Sequence, residues 1–140
     1  MIILDTNVVS EVMKKRPSEA VLTFLDRHPE ESFYVTAITV AEIWGGVAKK
    51  RDPEQREDLT VRADAMFAMF RGRVLSFDEM SAKVFGKIVG PAKQRGETIH
   101  FQDGAIGSIA KLRGAVVATR DVRPFEQAGL EVVNPWETDT

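Results

Sequence analysis

Four carboxylates stand where they can act together although they lie far apart in this 140-residue chain: Asp5, Glu42, Asp103 and Asp121. Asp5 closes the apolar run Met1–Leu4. Glu42 falls in the first turn of a predicted helix after the apolar stretch Phe33–Val35. Asp103 opens the helix that leads into Ala115–Ala118, and Asp121 lies three residues past that stretch. Carboxylates crowded together repel and raise one another's proton affinity. Helix N-termini offset part of that cost, and a divalent cation offsets more of it. An all-oxygen donor set favours Mg²⁺ or Mn²⁺. Such an ion lowers the pKa of a water and neutralises charge building on a phosphoryl oxygen, so phosphodiester hydrolysis is the economical chemistry. One ion, or two about 4 Å apart, would serve. The only imidazoles are His28 and His100. Neither sits in a zinc spacing, and both read as surface or helix-end residues.

Each acid also has an ordinary reading. Asp5 or Asp121 can cap a helix, and Asp103 can complement a helix dipole. Thr39-Val40-Ala41-Glu42 fits a capping box. These readings lose force together, because all four acids are predicted at one rim of one sheet.

That rim follows from the elements. Met1–Leu4 reads as a strand buried on both faces, followed by a helix over Thr6–Lys15 that Arg16-Pro17-Ser18 breaks. A second helix, Glu19–Arg27, carries Val21, Leu22 and Leu25 on one face. Phe33–Val35 is a strand and Val40–Lys50 a helix. A long helix from Pro53 to Arg71 carries the stripe Leu59, Ala63, Met66, Phe67 and Phe70, and Gly72 stops it. Val74–Phe77 is a third strand. Asp78 caps a helix to Arg95, with a kink expected near Gly90-Pro91. A helix over Gln102–Arg113, a strand over Ala115–Ala118, a short helix over Pro124–Ala128 and a strand over Glu131–Val133 complete the chain. Alternating strands and helices imply an α/β fold, a central and mostly parallel sheet of about five strands flanked by helices. Ligands of such sheets bind at the carboxyl ends of the strands.

Composition narrows the classes. The length fits a single domain over residues 1–140. Nineteen basic against twenty-one acidic residues give a net charge of −2, so nucleic-acid binding must use a local patch. There is no cysteine, which excludes disulfides and thiolate sites. No apolar run approaches a membrane span, and the start lacks the pattern of a signal peptide. The expectation is a complete, soluble, cytoplasmic protein.

With these residues in hand, the chain resembles the PIN-domain family, and within it the VapC/FitB-type toxins of bacterial toxin–antitoxin pairs. The resembling blocks are Leu4-Asp5-Thr6-Asn7-Val8-Val9-Ser10-Glu11, Thr36-Ala37-Ile38-Thr39-Val40-Ala41-Glu42-Ile43, Gln102-Asp103-Gly104-Ala105-Ile106 and Val117-Ala118-Thr119-Arg120-Asp121, with Asn134-Pro135-Trp136 near the end. They occur in family order and span nearly the whole chain. The resemblance implies an α/β/α sandwich and a ribonuclease dependent on Mg²⁺ or Mn²⁺. It maps the acidic residues to Asp5, Glu42, Asp103 and Asp121, and the accompanying polar residues to Thr6 and Thr119. It also implies a homodimer and a small DNA-binding antitoxin that pushes a basic side chain into the acidic pocket. The chain departs from the pattern twice. Gly104 and Gly107 stand where many relatives have alanine, which is read as room for close helix–sheet packing. Asp121 and Pro124 stand where many relatives have asparagine and aspartate, so the fourth carboxylate is displaced by three residues from the family's usual place.

The basic clusters Lys14-Lys15-Arg16, Lys49-Lys50-Arg51, Arg71 with Arg73, and Arg120 with Arg123 read either as a phosphate track or as a solvated surface. Arg120 stands apart as a phosphate contact or an orienting partner for Asp121. Met66, Phe67, Met69 and Phe70 read as core, with part of the stripe and Trp44 available as a dimer face. Glu11 is a candidate supporting acid, and Asp78 an N-cap. Two other functions remain open. In one, the acidic pocket is a non-enzymatic socket for a partner's arginine. In the other, Asp5 is the covalent nucleophile of a phosphatase, which the Asn7 in place of a second aspartate argues against.

Overall fold

Ile2–Leu4 forms β1, and its alternate side chains enter opposite layers of the core. Ile3 packs with Ile106, Ile109 and Phe125, whereas Leu4 packs with Val8, Val9, Val21 and Phe24. Burial on both faces explains why this run has no polar alternation. The computed structural model describes residues 1–137. Its other strands are β2 (Phe33–Thr36), β3 (Val74–Leu75), β4 (Val116–Ala118) and β5 (Val132–Val133). They join in the order β3-β2-β1-β4-β5, and every pairing is parallel, so the sheet is wholly rather than mostly parallel. Ile2 sits beside Phe33 on one side and Val116 on the other. The strand order therefore reverses between β1 and β4, and a crevice opens there at the carboxyl ends.

Among the described residues seven α-helices flank the sheet: α1 (Thr6–Val12), α2 (Glu19–Asp26), α3 (Ala37–Ala48), α4 (Pro53–Ala68), α5 (Glu79–Gln94), α6 (Phe101–Arg113) and α7 (Arg123–Gln127). The layer around Leu4 draws on α1 to α4, the layer around Ile3 on α6 and α7, and α5 packs on α6. This is the expected α/β/α sandwich. Among the described residues, no helix is long and apolar enough to cross a membrane.

Several boundaries differ from the sequence reading, each for a local reason. The α3 helix starts at Ala37 rather than Val40, because Thr36 ends β2 and caps the helix directly: its hydroxyl oxygen accepts the Thr39 N–H at 3.3 Å. In α2 the buried residues are Val21, as expected, and Phe24, while Leu22 faces out at 38% exposure. The α4 helix ends at Ala68, ahead of the left-handed turn at Gly72 (φ +82°). β3 is only two residues long. The α5 helix continues through Pro91 to Gln94, and its cap is Asp78 as expected, accepting the Ser81 N–H at 2.9 Å. The glycines of α6 serve contacts other than the sheet. A Cβ at Gly104 would lie 2.8 Å from Phe85 and 3.2 Å from Val89, both on α5, and one at Gly107 would lie 3.2 Å from Leu130. They let α6 close on α5 and on the chain after α7.

Candidate active site

β1 passes into α1 without a loop, so Asp5 is both the residue after the strand and the N-cap of the helix. Its backbone N–H donates to the Ala118 carbonyl at 2.9 Å, which fixes it beside β4. One carboxylate oxygen, Oδ1, accepts the Thr6 N–H at 2.8 Å, and Oδ2 accepts the Thr119 hydroxyl at 2.7 Å. The residue is 5% exposed. Burial pushes its pKa up to about 6; the bonds from Thr119 and Thr6 oppose the rise, and the charges of Asp103 and Glu42 add to it. The capping role and the place in the crevice are thus both true of Asp5.

Thr119 ties the floor together. Besides donating to Asp5, its hydroxyl oxygen accepts from Asn7 Nδ2 at 3.2 Å and from the Asp121 N–H at 3.0 Å. It is fully buried. Thr6 plays the matching part on the other side. Its hydroxyl donates to Glu42 Oε1 at 2.6 Å and lies 2.9 Å from Thr39 Oγ1. With its proton given to Glu42, Thr6 accepts from Thr39. Glu42 is the sixth residue of α3, not in its first turn, because the helix begins early. The capping-box reading therefore fails: Thr36 caps the helix, and Glu42 is left to face the crevice.

Asp103 lies in the first turn of α6 and is half-buried. Burial raises its pKa first, then the charge of Asp121 and, less, that of Glu42, while His100 pulls it down. His100 is the exposed helix-end residue expected, and it makes no side-chain cap bond. Asp121 is exposed and precedes α7, whose N-cap is Val122, so it is not a cap. All four acids line one cavity of about 480 Å³, together with Thr6, Asn7, Arg120 and others. Among the described residues, no three histidine, aspartate or glutamate side chains stand close enough to grip one metal ion. The donor set suits Mg²⁺ nonetheless, because that ion keeps several waters and takes one or two protein carboxylates directly.

Asn7 and Ser10, which the sequence reading does not single out as site residues, also line this cavity, with the candidate supporting acid Glu11 and with Lys14 of the first basic cluster. Their spacing, 7-10-11-14, marks one face of a helix, which is the signal that points to them. Glu11 is buried, takes the Lys14 ammonium at 2.9 Å and accepts the Ser18 N–H at 2.9 Å, which holds its carboxyl below the usual range. Arg120 donates its backbone N–H to Asn7 Oδ1 at 3.3 Å and places its guanidinium 4.9 Å from the Trp136 ring centre. Beside the acidic cavity runs a groove of about 920 Å³ between α1, α3 and α4, lined by Lys14, Lys15, Lys49, Lys50 and Arg62 and also by Glu42, Asp52, Glu54 and Asp58, with Arg62 paired to Asp58 at 3.0 Å. The two share Thr6, Ser10, Lys14 and Glu42. Arg16, Arg51, Arg71, Arg73 and Arg123 line neither. In the aromatic stripe Met66 and Phe70 are buried, Trp44 packs on Phe67 at 6.4 Å, and Met69 is 55% exposed.

The chain as a whole is similar to known proteins. Residues 2–130 match the PIN domain. The VapC ribonuclease Y4jK of Sinorhizobium fredii is 41% identical, over 98% of this chain and 99% of its own. The toxin FitB of Neisseria gonorrhoeae is 41% identical, over 97% and 99%. Among solved structures, FitAcB from Neisseria gonorrhoeae superposes with a TM-score of 0.92 at 40% identity, over 98% of this chain and 99% of that one. FitAB bound to an IR36 DNA fragment gives 0.93 at 40% identity, over 100% and 99%.

Proposed function

This chain belongs to the PIN-domain family, and from that premise we propose that it is an endoribonuclease acting as the toxin of a toxin–antitoxin pair, using Mg²⁺ or Mn²⁺. The observation that carries the reading is the floor of the crevice. Four carboxylates from four separate segments line one cavity, and two of them hold protons more tightly than usual. Negative charge of this kind, buried at Asp5, half-buried at Asp103 and exposed at Glu42 and Asp121, has no ion pair among the described residues and is relieved by a cation. The identities with a ribonuclease and a toxin over nearly the whole chain support the same reading.

Asp5, Glu42, Asp103 and Asp121 are the ligand set, some of them through water. When bound, the metal supplies an activated water and charge neutralisation at phosphorus. The protein's own groups do the rest. Thr119 and the Thr6 N–H fix both oxygens of Asp5, and the Thr6 hydroxyl aims Glu42 into the cavity. Arg120 and the neighbouring lysine groove attract the RNA backbone toward an otherwise repulsive acidic site. An antitoxin with a DNA-binding part, a homodimer and a cytoplasmic setting complete the proposal. The phosphatase alternative loses ground on the geometry of Asp5. A group 5% exposed, with each oxygen already accepting a hydrogen bond, is poorly placed to attack phosphorus in line.

The test is cleavage of total cellular RNA by purified, antitoxin-free protein, with 5′-end sequencing of the fragments. Cutting is expected with Mg²⁺ or Mn²⁺, none with chelator, and none for Asp5→Asn or Asp103→Asn. If no RNA is cut under any of these conditions, the acidic pocket is a socket for a partner's arginine instead.

A further inference from the structure

Arg120 stands at the mouth of a cavity lined by four carboxylates, and the ordinary fate of a guanidinium there is to fall onto one of them. It does not. Among the described residues, Arg120 forms no ion pair, although Glu11 lies within electrostatic range and Asp121 is its neighbour in the chain. Its guanidinium lies over Trp136 instead, 4.9 Å from the ring centre.

Trp136 is delivered to that place by the end of the sheet. The Thr119 N–H donates to the Val133 carbonyl at 2.9 Å, which ties the end of β5 to the end of β4 beside Arg120. The chain then turns: Asn134 Oδ1 accepts the Trp136 N–H at 2.9 Å, and the Asn134 carbonyl accepts the Glu137 N–H at 3.1 Å. One part of the indole packs against the core layer around Leu4, and the rest faces the cavity. A half-buried, hydrogen-bonded turn therefore presents a fixed aromatic face at the rim.

An aromatic face attracts a guanidinium through its π-cloud and leaves the in-plane N–H donors unspent. A carboxylate partner would consume those donors and cancel charge at the site. Building on the nuclease reading above, we infer that Trp136 is a positioning residue: it holds Arg120 off the acidic floor so that the guanidinium edge takes an RNA phosphate flanking the one being cut. Trp136 itself touches no reacting atom. The inference extends the functional region from the four acids to the Asn134–Trp136 turn.

The experiment is steady-state cleavage of a random-sequence single-stranded RNA oligonucleotide with Mg²⁺, for wild type, Trp136→Phe, Trp136→Leu, Arg120→Ala and the Trp136→Leu/Arg120→Ala pair. Leucine fills the apolar space but has no π face. Trp136→Phe is expected to stay within about twofold of wild type, and Trp136→Leu to raise KM about 3- to 30-fold with kcat within about twofold. In the Arg120→Ala background the same change should do nothing more, because the group it positions is gone. Arg120→Ala should also flatten the dependence of log KM on log salt by just under one, about 0.7 for a single strand. A Trp136→Leu protein with unchanged KM, or one whose effect adds to that of Arg120→Ala, overturns the inference. If Trp136→Leu fails to fold, Arg120→Lys decides. It keeps the charge but not the planar edge, so a raised KM supports the inference and an unchanged one overturns it. A wild type that cuts no RNA removes the nuclease reading as well, whereas a wild type that cuts beside an indifferent Trp136→Leu removes this inference alone.

Discussion

The acidic cavity and the lysine groove share a wall and are built on opposite terms. In the cavity, Asp5 and Thr119 are buried, and each polar atom is committed to a partner at 2.7 to 3.2 Å. In the groove, Lys14, Lys15 and Lys49 are exposed, Lys50 is half-exposed, and of these four only Lys14 holds an ion pair among the described residues. A buried network keeps its geometry at a cost in desolvation, and long solvated cations adapt their reach and follow the salt. One region is suited to holding an ion and a phosphorus atom in place, the other to gathering a polyanion of many shapes. Mutations in the two should therefore fail differently, by lost turnover in the first and by weakened, salt-sensitive binding in the second.

The largest expected effect is that of Asp5→Asn. Cleavage should fall by about 10³-fold or more. In the metal-free wild type the Asp5 carboxyl, with its pKa raised to about 6 by burial, should weaken the fold progressively as pH rises from about 3.8 to about 6 and no further above. The asparagine variant should lack that pH dependence but lose one hydrogen bond, because its amide nitrogen cannot accept as both carboxylate oxygens do. Thermal melts in chelator across this range measure it, and a pH dependence unchanged in the variant would deny that charge strains the cavity. Next is Thr119→Val, which removes one donor and two acceptor contacts while keeping the shape. It should cost about 1–3 kcal/mol by denaturant melts, together with most of the activity. Replacing Lys15, Lys49 and Lys50 by alanine should weaken RNA binding roughly tenfold, reduce the salt slope and leave the melting curve in place. If that triple variant loses turnover at saturating RNA instead, the division between the two regions is wrong. The smallest effect belongs to Glu11→Gln. The Glu11 carboxyl is held below its usual 4.5, so its contribution is present above that pH and lost as pH falls through the depressed folded value. The variant should be modestly less stable at pH 7, and the gap to wild type should close in acid.

The two regions were not equally legible in the sequence. Asp5 could be read because a short apolar run with no alternation ends at it, and Asp103 and Asp121 because they bracket a second such run. These signals are local. Glu42 was found at its position but with the wrong helix start, since Thr36 and Thr39 are both able to cap and only the fold decides which does. Only the family resemblance points to Thr119. Its role depends on Asp5, Asn7 and Asp121 meeting it, and no periodicity encodes such a meeting. A glycine at position 104 suggests room for the sheet, yet its neighbours are Phe85 and Val89 of α5, a choice set by helix packing over long separations. The lysine groove showed as charge runs, but which cluster lines it and which only faces solvent follows from where α1 and α4 lie.

The placement of β1 between β2 and β4 has a consequence for how such a protein is made. Asp5 is synthesised more than a hundred residues before the end of the strand that completes its surroundings, Ala118. At ~5–20 residues per second, translation leaves several seconds in which the chain exists without a finished site. A ribosome that has made β1 but not β4 holds an incomplete pocket, and the working one closes only once β4 has emerged.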